Sequence, residues 1–493
     1  MADTGRCVPL LVACCAFFLT AAGCTNNPAT GGSMFSLVSE NEERAIGAEH
    51  HPEILNEYGL YEELPRINAY VAMVSARILA ASDISSQVLT VTVLDTDVVN
   101  AFALPGGYIY VTRGLLALAN NEAELAGVIG HEIGHVAARH TAQRLTWARV
   151  AEIAVTVVDA STSHLDYGGL ATDLSGLTAH AVIAGFSREQ EIESDTLGVR
   201  YLARAGYDPY AMATFLRQLE RHSDLLDALS PLDRDPSFLT RWFATYPRAA
   251  DRVVLAADEA RSSADTRILN RESYLRMIDG IAHGERADQG RILERRFVHP
   301  AWRFAFDVPE GLAMFRVNGQ VRAYDDAGTL VTFDGVEDIH RGATPHLYRW
   351  ADELRVRVND PEVFEVAGFQ AAGGRFRASP DGSDRLYRMV AIALNPGRVA
   401  RFLFSMPAGE AGVLDDLAER TLASFRRLSA DEAEAAGPLR VRIVEVTPGD
   451  TVDSLSRMMA FEDHRRERFL VLNGFDEETD LAPGMLVKVV RLE

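Results

Sequence analysis

Two hydrophobic periodicities share the first half of this chain, and one of them dominates the second. Leu125, Val128, Ile129 and Val136 recur at the spacing of one helix face, and no proline interrupts residues 121–140. Asn121 stands where an N-cap belongs, with Glu124 three residues on to complete a capping box, so a helix is predicted from there. Further helical patterns occupy about 40–56, 62–82 and 187–204. Residues 88–94, Val-Leu-Thr-Val-Thr-Val-Leu, alternate as a strand does; residues 108–112 form a second strand, and Pro105-Gly106-Gly107 marks the turn before it. From 296 to about 428 the period of two takes over, at 302–308, 320–324, 330–333, 386–393 and 398–405, with helical stretches near 346–357 and 412–427.

These patterns predict an α+β multidomain chain. Residues 40–261 read as a mainly α-helical domain with a small sheet, 262–295 as a polar, partly helical linker, and 296–430 as an α+β domain of unassigned role. Residues 439–493 read as a small domain in the order strand, helix, helix, strand. Residues 160–177, with Gly168, Gly169 and Gly176, and 223–240, with Pro231 and Pro236, read as surface loops or covers of a cleft. No 34-residue period is visible, which excludes a tetratricopeptide array.

Length and charge narrow the classes. A chain of 493 residues suits about three domains. The formal charge of −21, with Lys488 the only lysine and no sustained basic patch, excludes nucleic-acid binding and electrostatic docking on anionic lipid. The arginine-rich, lysine-poor balance reads as a codon bias, from which no function is drawn.

The N-terminus supplies an address. Residues 7–22 are an apolar run of signal-peptide length after Arg6, too short for a comfortable transmembrane helix. Ala21-Ala22-Gly23-Cys24 follows, and small residues before a cysteine resemble the bacterial lipobox. Residues 1–23 are therefore expected as a signal peptide, Cys24 as the lipidated first residue of the mature chain, and residues 24–39 as a tether. Secretion after cleavage nearby and an uncleaved anchor are the alternatives. Thr25, in place of an aspartate, favours sorting to the periplasmic face of the outer membrane. All four cysteines lie within the first 24 residues, so cysteine has no part in catalysis or metal binding.

The chemistry centres on His131-Glu132-Ile133-Gly134-His135. Histidines four apart on a helix share a face and suit two corners of a tetrahedral zinc site, and the glutamate beside the first can act on a metal-activated water. Catalytic zinc takes a third protein ligand. Downstream, Glu191 and Asp195 also share a helix face: one carboxylate can bind zinc while the other orients a ligand histidine, with Glu189 and Glu193 as competitors.

Three separated motifs, residues 100–116, 122–140 and 187–209, together resemble the zinc metallopeptidase family that includes the CAAX prenyl protease, HtpX and the periplasmic protease BepA. The resemblance covers about residues 40–260. It implies a zincin fold of the gluzincin type and one Zn2+ per chain held by His131, His135 and Glu191. It also implies Glu132 as general base, Asp195 as the partner that orients a ligand, and Asn100, Ala101 and Phe102 along the substrate cleft. A peptide could add there as a strand. Members similar to BepA carry Thr-His-Pro where this chain has Thr245-Tyr246-Pro247. Tyr246 is thereby a candidate donor to the oxyanion, Arg252 a second one, and His140 a structural hydrogen-bonding residue. Residues 447–451, 472–474 and 481–484 resemble a LysM module, which implies peptidoglycan as a ligand.

The expected function is a lipid-anchored zinc endopeptidase of the periplasm that cleaves unfolded or misassembled envelope proteins. The alternatives are a chaperone-like or peptidoglycan-binding lipoprotein with little proteolysis, and an enzyme of the cell wall.

Overall fold

The computed structural model describes residues 24–161 except 30, 185–229, 254, 255 and 258, and 267–493 except 287, 288, 294, 318, 326, 338–341, 380, 381, 396, 410, 462 and 478. The expected signal peptide, residues 1–23, lies outside them. The chain divides into two units, Met1–Gly284 with Arg440–Arg491, and Glu285–Leu439 with Leu492–Glu493. The second is thus inserted in sequence between two parts of the first.

The first unit opens with a hairpin, β1 (Cys24–Asn26) and β2 (Ser33–Phe35), in which Cys24 lies opposite Phe35. The segment expected as a tether therefore begins in paired backbone, and the Leu37 amide donates to Thr146 Oγ1 at 3.0 Å. Helices α1 (Glu40–Tyr58) and α2 (Pro65–Ala81) follow. Ser39 and Glu42 form a capping box at the start of α1, and Pro65 opens α2, where a missing amide proton costs nothing. Next come β3 (Thr90–Leu94), β4 (Ala101–Leu104) and β5 (Tyr108–Thr112), in the sheet order β3-β5-β4. β3 runs parallel to β5 and β4 antiparallel to it, so β4 is an edge strand. Gly106 and Gly107 turn the chain between β4 and β5 at φ 80° and 88°, and a Cβ on Gly106 would sit 2.6 Å from the Arg44 Cα.

The short helix α3 (Arg113–Leu118) leads into α4 (Glu122–Ala137), which carries the histidine motif. Asn121 caps α4 as the sequence predicts, its side chain accepting from the Glu124 amide, but the expected capping box does not close, because the Glu124 carboxylate accepts from the Asn120 amide instead. Every residue from Glu122 to His135 is buried, and α4 packs against α2, β4 and two later helices. A helix buried on all sides belongs at the centre of a domain. It ends at Ala137, before the predicted limit of 140. Arg139 takes a left-handed conformation (φ 55°), its guanidinium pairs with the Glu43 carboxylate at 2.9 Å, and α5 (His140–Ser161) starts afresh.

The remaining helices of this unit are α6 (Arg188–Arg204), α7 (Tyr210–Leu229) and α8 (Arg271–Ile278), followed by β6 (Ala282–His283). α8 lies in the polar stretch read as a linker, yet its Tyr274, Leu275 and Ile278 are buried.

The second unit is strand-rich. It comprises β7 (Arg291–Leu293), β8 (Arg296–His299), β9 (Phe304–Asp307), β10 (Ala313–Val317), β11 (Gln320–Tyr324), β12 (Leu330–Glu337) and α9 (Ala343–Glu353). β13 (Asn359–Val366), β14 (Phe369–Ala378), β15 (Arg385–Asn395), β16 (Arg398–Pro407), α10 (Ala411–Ser424), β17 (Arg426–Arg427) and α11 (Ala430–Ala435) complete it. Its sheets run β10-β11-β12-β16-β15-β14-β13 and β17-β9-β8-β7. Alternation along β15 places Val390 and Ile392 in a phenylalanine core with Leu414 and Leu417 of α10. Met389 and Ala391 face Leu347 and Trp350 of α9 instead.

The chain then returns to the first unit through β18 (Leu439–Glu445), α12 (Val452–Ser456), α13 (Arg465–Asn473) and β19 (Leu486–Leu492). This is the predicted order of strand, helix, helix, strand. β6 adds to it, giving the sheet β19-β18-β6. Among the described residues no helix is long and apolar enough to cross a membrane.

Candidate metal centre

The site forms where α4 and α6 touch with no side chain to spare. A Cβ on Gly198 would lie 2.9 Å from the His131 amide nitrogen, and one on Gly134 would lie 2.7 Å from Ser194 Oγ. Glycine at both positions lets the helices approach closely enough for their polar groups to meet. A capping box of Ser187 and Gln190 starts α6 a few residues ahead of its carboxylates.

His131 and His135 project from one face of α4 with their Nε2 atoms 3.0 Å apart. Glu191 of α6 approaches both, with Oε2 at 3.4 Å from His131 Nε2 and Oε1 at 3.7 Å from His135 Nε2. One ligand atom from each of the three residues lies within 4.8 Å of the others, and all three residues are buried. They are the only such group among the described residues. Two nitrogens bound tetrahedrally to zinc at about 2.0–2.1 Å stand roughly 3.3 Å apart, so the observed spacing fits the ion.

The far side of each ring is also held. His131 Nδ1 lies 2.8 Å from Asp195 Oδ1. A proton on Nδ1 donated to that carboxylate leaves the Nε2 lone pair facing the site. His135 Nδ1 lies 2.8 Å from His140 Nδ1, and His140 Nε2 lies 3.2 Å from Glu193 Oε2. Protons on His135 Nδ1 and His140 Nε2 satisfy that chain from end to end and again leave Nε2 of His135 facing inward. Phe186 stacks on the His135 ring at 4.0 Å and fixes its plane.

Burial and the neighbouring carboxylates pull the two histidines in opposite directions. Burial lowers the basicity of His131, but the Asp195 and Glu191 carboxylates outweigh it and hold the imidazole up at about 10. Burial pushes His135 down to about 3, and its neighbours His131 and His140 add to that. Burial works against ionisation of Glu191, yet the two histidines hold its carboxyl well below the usual range. Two imidazoles and one carboxylate converging in this way make up the donor set of a catalytic zinc centre.

Every described candidate is accounted for. Glu132 is buried beside His131 on α4. Asn100 precedes β4, its amide donating to Thr112 Oγ1 at 3.0 Å, and Ala101 and Phe102 lie in β4 itself. Phe102 stacks on Tyr110 of β5 at 4.8 Å, and β4 packs along α4. Cys24 is placed only as backbone, in β1. Tyr246 and Arg252 lie outside the described residues. Sequence reasoning missed the Glu193–His140–His135 chain. Glu193 is two residues from Glu191 and so faces another way, and the left-handed Arg139 that turns His140 back toward His135 carries no local signal.

Residues 65–260 match the model of Peptidase family M48. The mitochondrial metalloendopeptidase OMA1 of Schizosaccharomyces pombe is 30% identical over 200 residues, 39% of this chain and 56% of that protein. The β-barrel assembly-enhancing protease of Escherichia coli is 27% identical over 256 residues, 50% of each chain. A putative β-barrel assembly-enhancing protease of Vibrio cholerae is 31% identical over 212 residues, 40% of each chain. The chain spans about half the length of the curated relatives it matches. Residues 65–260, which match that family model, hold the buried His131, His135 and Glu191 constellation of a zinc metallopeptidase and are similar to the corresponding parts of OMA1 and the β-barrel assembly-enhancing protease.

Proposed function

We propose that this chain is a zinc-dependent endopeptidase of the bacterial periplasm, anchored through lipid on Cys24, that hydrolyses unfolded or misassembled envelope proteins. The observation that carries the reading is the convergence of His131, His135 and Glu191 on one point with Glu132 beside them on α4. Zinc held there supplies Lewis acidity toward the scissile carbonyl and makes water a stronger acid. Glu132 takes the proton of the attacking water and returns it to the leaving amine. Asp195 keeps His131 in one tautomer, and Glu193 does so for His135 through His140.

The edge strand β4 lies beside α4, so an extended substrate can pair with its main chain near the reacting atoms. Pairing of that kind asks little of substrate sequence, as cleavage of unfolded protein requires. Tyr246 and Arg252 carry the proposed contacts to the oxyanion by family resemblance. The zincin fold of the gluzincin type, the LysM-like identity of residues 439–493 and binding of peptidoglycan belong to the same proposal. The strand, helix, helix, strand order of the last segment supports the LysM-like reading.

The deciding variant is Glu132→Gln. It should keep its zinc and fold but lose casein cleavage by roughly 10²–10⁴-fold, because an amide cannot accept the proton. Undiminished cleavage by a clean preparation would mean that another base operates. Parallel incubation with peptidoglycan separates the rival readings: glycan release without casein cleavage makes the chain a cell-wall enzyme, and binding without either reaction makes it an adaptor.

A further inference from the structure

The chain has one lysine, and it is fully buried. Lys488 stands on β19 of the C-terminal segment, yet its Nζ donates to the carbonyls of Ala117, Leu118 and Ala119 at 2.8, 2.8 and 2.9 Å. These carbonyls end α3, where helical geometry leaves acceptors without intrahelical partners. Burial and the nearby Arg271 push the Lys488 amine well below its usual basicity, while the Glu124 carboxylate works the other way; three carbonyl acceptors call for three N–H donors, which only the ammonium form has. Asn473 of α13 locks the strand at this residue, donating to the Lys488 carbonyl at 2.9 Å and accepting from its amide at 2.7 Å.

Two arginines extend the arrangement. Arg271 donates to the Asn120 carbonyl at 2.9 Å and to the Leu486 carbonyl at 3.2 Å, bridging the α3–α4 junction to β19. Arg113, itself buried at the start of α3, bonds Asp95 at 2.6 Å and the carbonyls of Ala282 and Gly284 at 3.2 and 2.6 Å. The buried Glu124 of α4 accepts from the Asn120 amide at 2.6 Å and from Thr214 at 3.0 Å, and its carboxylate attracts both Lys488 and Arg271. Lys488 and Arg271 thus grip the main chain that runs from β5 to α4, and Arg113 ties the start of that stretch to Asp95 and to residues 282 and 284.

That connection matters for the chemistry proposed above. Upstream of it lies β5, the partner of edge strand β4; downstream lies α4, with His131 seven residues beyond Glu124. The relative placement of the two sets where a strand-bound peptide meets the metal ligands. An error of about 1 Å in such placement costs on the order of 10²-fold in rate.

We propose that Lys488 is a positioning residue of the peptidase: from the C-terminal segment it locks the β5–α4 connection and so sets the metal-bearing helix against the substrate strand. The C-terminal segment is then a working part of the catalytic body, whatever else it binds. The inference rests on the peptidase reading for its consequence in rate, and on hydrogen bonding alone for its consequence in structure.

The test uses the zinc-loaded mature chain carrying Lys488→Met, which keeps the length of the side chain and removes its donors. Zinc content and the far-ultraviolet circular dichroism should be retained. Well below the unfolding transition, kcat for casein should fall at least tenfold, and amide exchange over residues 117–126 should rise at least tenfold. A lowered melting temperature with kcat and local exchange unchanged would make Lys488 an ordinary structural residue and overturn the proposal. If Lys488→Met fails to fold, Arg271→Met repeats the test with the ammonium in place, and unchanged kcat and exchange there overturn it equally. Absence of casein cleavage by the wild-type protein would instead sink the peptidase reading, while the exchange measurement would still decide whether the grip exists.

Discussion

Both units have apolar cores, but they differ in the ionisable side chains that lie among them. In the first, the interior holds His131, Glu132, His135, His140, Glu191, Asp195, Glu122, Glu124, Arg113 and Lys488. In the second, Phe297, Phe304, Phe306, Phe333, Phe402 and Phe404 are each no more than 3% exposed and pack ring against ring. Buried polar groups cost free energy unless each finds a partner, so the first unit is a mesh in which one side chain satisfies the next. Aromatic packing makes no such demand, since its rings are held by burial of apolar area and by offset or edge-to-face contacts. The contrast separates a region arranged for chemistry from one arranged for stability.

Three substitutions sharpen that contrast, in order of decreasing effect. Phe402→Ala removes a ring at the centre of the second unit and should cost about 3–5 kcal/mol. Calorimetry should show the loss in that unit's transition while zinc content and casein cleavage stay unchanged. A fall in cleavage at temperatures where the unit remains folded would show that the two regions are not independent. Asp195→Asn keeps the size of a mesh member but withdraws the charge that orients His131. Zinc affinity, measured by competition with a chelator, should drop roughly 10–100-fold with little change in unfolding temperature. Unaltered affinity would mean that Asp195 does not orient the ligand. Arg296→Ala breaks a pair with Asp307 on the second unit whose side chains are 50% and 39% exposed, with Nε–Oδ1 at 2.7 Å. Solvent screens such a pair, so the cost should stay within about 0.2–1 kcal/mol in denaturant titration. A larger value would show that the stability of that unit depends on its rim as well as on its rings.

What was legible in the sequence followed short-range signals. The cap at Asn121 and the strand at 108–112 are local patterns, and the structure has both. The histidine pair was legible because its spacing along a helix is itself a chemical specification, whereas the choice of Glu191 among the carboxylates 60 residues on came from the family resemblance. β13 and β14 went unread. Nearly all of β13 is exposed and it contains Pro361, while β14 carries Gly373 and Gly374, so neither shows clean alternation. The relay from Glu193 through His140, and the grip of Lys488 on residues 117–119, join positions that no periodicity relates. A lysine noted only for its rarity lies in the interior of the molecule, where the carbonyls of three consecutive residues some 370 positions earlier accept from it.

The same burial gives the folded protein an unusual surface chemistry. Reagents that acylate primary amines, including most common cross-linkers and fluorophore esters, will find no lysine to attack while the structure holds. Appearance of a reactive lysine would register the moment β19 leaves the α3–α4 junction, with no engineered probe.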